Sequence, residues 1–180
     1  MKILLRNARL LDATYEYEKQ DVLIKDEEII AVADTIDQEA DQVLDLTGYT
    51  VMPGFINAHI HVTMGDGPFR EDVLRGFAEK GVCMVRDMGY SCKTDVVEYY
   101  SWLRDHSSAD YTQVVSVGRF VACPGGYGAG HGEDTTGVLI TTPEEAKAAV
   151  RAQVRSGSKA IKIGLGAMSK IGRASCRERV

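Results

Sequence analysis

Two histidines stand two residues apart in an apolar run, and this pair is the strongest chemical signal in the sequence. His59 and His61 lie within residues 55–62, which are typical of a buried β-strand. Side chains alternate between the two faces of a strand, so both imidazoles should point to the same side. Two such imidazoles suit a borderline divalent ion such as zinc. The alternative is a pair of core histidines whose nitrogens are all hydrogen-bonded.

A lysine in a later apolar run is the next residue with chemical potential. Lys162 lies in the predicted strand 159–163, where alternation places it among small residues on one face and turns Ile161 and Ile163 to the other. Burial lowers the pKa of an amine, and a neutral amine can capture carbon dioxide as a carbamate. The alternative is a lysine held in a structural ion pair, which also perturbs pKa values.

A third histidine and a charged pair also lie where predicted strands end. His131 lies in a glycine-rich loop, from which it could reach a substrate and stabilise an oxyanion. The alternative is a surface histidine without a role. Arg86 and Asp87 end the predicted strand 82–87, where opposite charges could orient a ligand or pair with each other. We favour the structural role for both.

The residues named above can form one site only if the ends of their strands lie close together in the fold. The sequence from residue 53 onward predicts such a fold. Strand-like runs alternate with helical patterns, which is typical of consecutive βα units around a parallel sheet. The predicted strands are 55–62, 82–87, 113–122 and 159–163, and the predicted helices are 69–80, 94–105 and 143–155. Thr142 and Glu145 form a capping-box pattern at the start of the third helix, and Gly157 marks its end. Four units over residues 53–169 fit half of an eight-unit (β/α)8 TIM barrel or part of an open doubly wound sheet. The glycine-rich residues 125–130 match neither the GxGxxG nor the GK[ST] pattern of nucleotide-binding sites, which favours the barrel over the doubly wound sheet.

Residues 1–52 predict a separate small β-domain of the sandwich type. Short strands are expected at 2–5, 21–24, 29–32, 42–46 and 50–52. The second and third of these flank the polar residues 25–28, which predicts a hairpin with a four-residue connection.

Composition narrows the classes of function. The formal net charge is −5 and the native part of the chain has no basic patch, which argues against nucleic acid as a partner. Arg6 interrupts the first apolar residues, so they cannot form a signal-peptide core, and no run is long enough to span a bilayer. We therefore expect a cytoplasmic protein that does not act at a membrane.

The end of the sequence breaks the pattern. Residues 171–180, IGRASCRERV, match residue for residue a translation of a common sequencing-adapter oligonucleotide. We expect 170–180 to be a non-native tail and exclude it from fold reasoning, as a cloning scar would be excluded. The alternative is a genuine basic tail that binds an acidic partner.

The histidine pair also carries a family resemblance. Pro53-Gly54-Phe55-Ile56 followed by Ala58-His59-Ile60-His61 resembles the first-strand signature of the amidohydrolase superfamily. Residues 81–89 are similar to its second barrel strand. The loop Gly130-His131-Gly132 is similar to one in its imidazolonepropionase-like and prolidase-like members. Asn57 departs from the pattern, because many members carry Asp there. We expect this change to alter a hydrogen bond around the metal without abolishing metal binding.

The resemblance implies a metal-dependent hydrolase of C–N bonds. It implies that His59, His61 and a carbamylated Lys162 are ligands of a binuclear centre of divalent metal ions, with zinc as the expected metal. It also implies that His131 is a catalytic, substrate-binding residue. In such a centre a metal-activated hydroxide attacks the carbonyl of an amide or dipeptide-like small molecule. We also expect the whole protein, of which this chain would be the N-terminal part, to be a homo-oligomer.

The resemblance leaves two other functions open. One is a mononuclear cyclic-amide hydrolase or deaminase with one metal ion, in which Lys162 is only structural. The other is a non-catalytic barrel relative. A complete site would also need histidines from the fifth and sixth strands and an aspartate from the eighth, none of which the sequence contains. We therefore expect the 180-residue chain to be an inactive N-terminal fragment.

Overall fold

The structure is a computed structural model that describes residues 1–63, 69–90, 95–126 and 137–164. The contacts between residues divide the chain into two compact units, Met1–Pro53 and Gly54–Val180. His131 and the predicted tail 170–180 lie outside the described residues.

The first unit is built around one mixed β-sheet. Its strands are β1 (Lys2–Leu11), β2 (Glu16–Lys25), β3 (Glu28–Ala33), β4 (Gln42–Asp45) and β5 (Thr50–Val51). The sheet order is β3-β2-β1-β4, and β5 also pairs with β1. Strand β1 is antiparallel to β2 but parallel to β4 and β5. Leu4, Leu23 and Ile36 form its buried apolar cluster.

Two expectations for this unit need correction. The five strands form one sheet in this unit, whereas the sandwich type requires two facing sheets. The predicted hairpin is present, but its connection has two residues, Asp26 and Glu27, and not four. Both have positive φ, 51° and 83°, which is the backbone of a tight turn matched to the twist of two antiparallel strands.

The second unit alternates strands and helices. Its elements are β6 (Phe55–Ile60), α1 (Glu71–Glu79), β7 (Val82–Asp87), α2 (Val96–Asp105), β8 (Gln113–Ser116), β9 (Phe120–Ala122), β10 (Gly137–Leu139), α3 (Pro143–Ser156) and β11 (Ile163–Gly164). Among the described residues these strands form two three-stranded sheets, β6-β7-β8 and β10-β9-β11. All neighbouring strands are parallel. The unit is therefore mixed α/β with parallel sheets.

The predicted strand 113–122 is wrong as one continuous element. It is divided at residues 117–119, and the two pieces, β8 and β9, belong to different sheets. Gly118 has a φ of +68°. The Gln153 side chain donates to the Arg119 carbonyl and accepts from the Arg119 amide at 3.2 Å. A side chain from α3 thus replaces the strand partner that the Arg119 backbone would otherwise need.

Other strands also differ from the prediction in their bounds or in their presence. The predicted strand 159–163 is observed only as Ile163–Gly164, and β10 was not predicted. The Lys159 amide donates to Ser116 O at 3.0 Å, so the backbone at residue 159 is hydrogen-bonded outside the strand ladder, which begins at Ile163.

Helix α3 has the termini that the sequence predicts. Thr142 and Glu145 form a reciprocal capping box, and Gly157 ends the helix in the left-handed conformation with φ of 112°. In the part of the chain that the structure describes, no helix is both long and apolar enough to cross a membrane.

A matched pair of glycine substitutions tests the break at residue 118. A Cβ at Gly118 would fall on Gln153 Oε1 and Ser158 Oγ in a left-handed backbone, so Gly118→Ala should lower the free energy of unfolding by about 2–4 kcal/mol. Helical Gly76 has open space around it, so Gly76→Ala should raise that free energy by about 0.5–1 kcal/mol. Urea unfolding measures both. Equal effects of the two substitutions would contradict the role of Gly118.

Candidate metal centre

The two histidines share one side of the chain at the end of β6. Ile60 and Val62 pack into the apolar cluster around Leu74, so His59 and His61 lie on the opposite face. Their ring centroids are 5.6 Å apart, with an angle of 66° between the ring planes. His59 is exposed and His61 is half-buried. The pair therefore faces one side, as the alternation predicts.

The His61 ring is fixed by a backbone carbonyl. Its Nδ1 lies 2.8 Å from Gly89 O. A carbonyl oxygen only accepts hydrogen bonds, so Nδ1 must carry the proton. In the neutral ring this leaves the Nε2 lone pair available, the arrangement typical of histidines that bind metals.

Asn57 contacts the backbone of His59, within β6. Its Oδ1 accepts the His59 amide at 3.1 Å. An Asp at this position, which the family pattern favours, would offer a carboxylate oxygen to the same amide. The contact is compatible with our expectation that the change alters a hydrogen bond near the histidines.

Asp87 is a buried carboxylate behind the histidine pair. Its Oδ2 accepts the Tyr99 hydroxyl, and its Oδ1 accepts the Gly89 amide at 3.2 Å. Burial raises the pKa of Asp87 above its ordinary value, although these hydrogen bonds act in the opposite direction. Arg86 is exposed, whereas Asp87 is fully buried. The expected pairing of Arg86 with Asp87 is therefore wrong, and the carboxylate is instead hydrogen-bonded by Tyr99 and by the backbone of Gly89 and Val62.

Lys162 lies within the electrostatic influence of the same carboxylate. Burial lowers the pKa of its amine, and Asp87 opposes that shift by favouring the ammonium form. Asp87 also interacts electrostatically with His61. The neighbouring Ile161 packs against the apolar cluster under α3, as the alternation predicts, but Ile163, expected on the same face, is exposed. One buried carboxylate thus links the histidine pair and the lysine.

The described residues hold only part of the expected ligand set. Among residues 1–63, 69–90, 95–126 and 137–164, no group of three or more His, Cys, Asp or Glu side chains is arranged to hold a metal ion. His131, expected to contact substrate, lies outside those ranges. The histidine pair with its fixed Nδ1 fits a metal ion chemically, and further ligands remain a proposal.

Sequence reasoning missed the partners of His61 and of Asp87. Two signals were available. Asp87 ends a strand and is followed two residues later by Gly89, a residue suited to the observed φ of +127°. Tyr99 lies on an amphipathic helix whose buried face carries an aromatic hydroxyl, and such a hydroxyl needs a partner.

The electrostatic link between Asp87 and Lys162 is testable by labelling. Because the carboxylate raises the pKa of Lys162, Asp87→Asn should lower that pKa further. The neutral amine reacts with acylating reagents, so the pH midpoint of Lys162 labelling should move to lower pH. Mass spectrometry in carbon-dioxide-free buffer measures the midpoint. The exposed-residue control Asp105→Asn should leave it unchanged. An unchanged or higher midpoint in Asp87→Asn would refute the link.

Known proteins resemble this chain over part of its sequence. No model of a known protein family matches the chain. The dihydroorotase of Listeria monocytogenes is 36% identical over 72 residues, which are 40% of this chain and 17% of that protein. The 5-methylthioadenosine/S-adenosylhomocysteine deaminase of Thermococcus kodakarensis is 39% identical over 80 residues, which are 44% of this chain and 17% of that protein.

Solved structures match over most of the chain. A protein assigned as a prolidase from Bifidobacterium longum is 28% identical with a TM-score of 0.63, and the match covers 90% of this chain and 40% of that one. An amidohydrolase is 21% identical with a TM-score of 0.78, over 98% of this chain and 52% of that one, a likeness of fold. The chain spans about half the length of these structures or less. These sequence relatives and structural neighbours are members of the amidohydrolase superfamily, and the chain is similar to them in sequence and in fold.

Proposed function

We propose that this chain carries one corner of the metal centre of a hydrolase that cleaves a C–N bond in an amide or peptide-like small molecule. The observation that supports this most strongly is the pairing of His59 with His61, whose Nδ1 is held 2.8 Å from Gly89 O. A purely structural role for the half-buried His61 would not require an unprotonated Nε2 on the side that it shares with a second imidazole.

The chain's own residues would hold the metal and prepare the site. His59 and His61 would bind a divalent ion, with zinc preferred, through ring nitrogens. A bound ion would polarise the scissile carbonyl and lower the pKa of a water molecule. Gly89 keeps the His61 proton on Nδ1, away from the metal side.

Lys162 is proposed as the second anchor of a two-metal centre. Burial lowers the pKa of its amine, which increases the neutral fraction able to react with carbon dioxide. The amine nitrogen would bond to the carbon of carbon dioxide and release a proton to water, and the oxygens of the resulting carbamate could then help to hold metal ions. His131 is proposed to donate a hydrogen bond to the substrate carbonyl oxygen as negative charge develops there.

The relatives favour two substrate classes. The prolidase-like structure supports a dipeptide-like substrate for the whole protein. The dihydroorotase and deaminase relatives support the alternative, a cyclic-amide hydrolase or deaminase with one metal ion and a structural Lys162. The number of metal ions separates these alternatives.

Metal content tests the role of Lys162. We expect the protein extended to the length of its solved relatives to bind about two metal equivalents per chain, since a bridged pair needs both ions. Lys162→Ala should reduce this to about one, and Lys159→Ala, at an exposed neighbour, should not. Elemental analysis after gel filtration measures the ratio. One equivalent in the unmodified protein would reject the bridge and favour the mononuclear alternative.

Activity tests the histidine pair. Hydrolysis of a panel of Xaa-Pro dipeptides and cyclic amides should fall by at least about 100-fold in His59→Ala and His61→Ala, since loss of outer-shell partners alone costs about 10–100-fold. His106→Gln, at the end of α2, is the matched control and should retain activity. Retained turnover in either variant of the pair would refute the metal-ligand roles. Turnover by the pure 180-residue chain would refute its expected inactivity.

A further inference from the structure

A continuous hydrogen-bond path joins helix α2 to the His61 ring. The Tyr99 hydroxyl donates to Asp87, Asp87 accepts the Gly89 amide, and the Gly89 carbonyl accepts His61 Nδ1–H. We infer that Asp87 and Tyr99 are positioning residues that set the tautomer of His61 through the Gly89 turn. The inference rests on the proposed function only in treating His61 as a metal ligand.

The beginning of the path is fixed by packing. Tyr99 is fully buried, and its ring centroid lies 4.4 Å from that of Tyr90 and 6.0 Å from that of Phe69. These contacts leave the ring little freedom to rotate. Its hydroxyl therefore holds one oxygen of Asp87 at a defined place.

The Gly89 turn transmits this position to the histidine. Its amide is bonded to Asp87 at 3.2 Å and its carbonyl to His61 at 2.8 Å. The adjacent Met88 amide donates to Ile60 O at 2.8 Å, which ties the same turn to the end of β6. The φ of Gly89 is +127°, a conformation that side chains disfavour. The direction of the Gly89 carbonyl is thus restrained by the hydrogen bonds of the two amides that precede it.

The direction of that carbonyl decides which histidine nitrogen is free. In a neutral imidazole, the hydrogen bond made by one nitrogen determines which of the two carries the proton. With Nδ1–H directed at Gly89, Nε2 keeps its lone pair. If the carbonyl lost its orientation, both tautomers would be populated, and part of the protein would present a proton where a metal ion must bind.

Side-chain nitrogen NMR reads the tautomer without metal or substrate. In the metal-free 180-residue chain, at a pH where the imidazoles are neutral, we expect His61 to be protonated at Nδ1. Asp87→Ala removes both acceptors and should give a mixture of His61 tautomers. Asp87→Asn keeps one acceptor for the Gly89 amide and should restore most of the Nδ1–H form. Tyr99→Phe, which keeps the ring but lacks the hydroxyl, should give an intermediate mixture.

His106 supplies an internal control in every spectrum. Its Nδ1 lies 2.8 Å from Trp102 O at the end of α2, a contact that does not involve Asp87. It should keep its Nδ1–H form in all the variants, which reports that the fold is intact. Zinc added to the same samples should bind His61 about 10–100-fold more weakly in Asp87→Ala than in the unmodified chain.

The outcomes separate this inference from the proposed function. An Nε2–H tautomer at His61 in the unmodified chain, or an unchanged His61 in Asp87→Ala, would overturn the positioning role. If Asp87→Ala also disturbs His106, Tyr99→Phe decides, and an unchanged His61 there overturns the inference. If the tautomer follows the variants but zinc never shifts His61, the positioning role stands and the metal-binding proposal fails.

Discussion

The candidate site depends on one hydrogen bond, from His61 Nδ1–H to the Gly89 carbonyl. It fixes the orientation of the ring and the location of its proton together. The turn that presents the carbonyl is held by the buried Asp87 carboxylate. Burying a carboxylate is unfavourable unless it is hydrogen-bonded, and Tyr99 and Gly89 supply those bonds. Helix α2 therefore contributes to the site through the Tyr99 hydroxyl.

The same carboxylate gives the site its electrostatic coupling. Asp87 interacts electrostatically with His61 and with Lys162, which lies 75 residues after Asp87 in the chain. Its charge favours the ammonium form of Lys162, while burial favours the neutral amine. The balance of these two effects controls how readily the lysine can become the proposed carbamate. The charge of Asp87 therefore affects both His61 and Lys162.

Local rules predicted the features that depend on nearby residues. Residues within a few positions of one another determine three of these features. They are the placement of His59 and His61 on one side of the strand, the capping box of α3 and the hairpin between β2 and β3. The break in the strand at Gly118 depends on Gln153, a partner on another element, and the hydroxyl that meets Asp87 comes from a helix. Such pairings depend on tertiary contacts, which strand alternation and capping rules do not describe.

Metal binding by His59 and His61 is tested most directly by an anomalous diffraction map. Crystals of the extended protein grown with zinc should show a peak about 2.0–2.1 Å from Nε2 of His61 and from a ring nitrogen of His59. The Gly89 carbonyl should still accept Nδ1–H. A fully occupied zinc site elsewhere, with no peak at these two rings, would contradict the account.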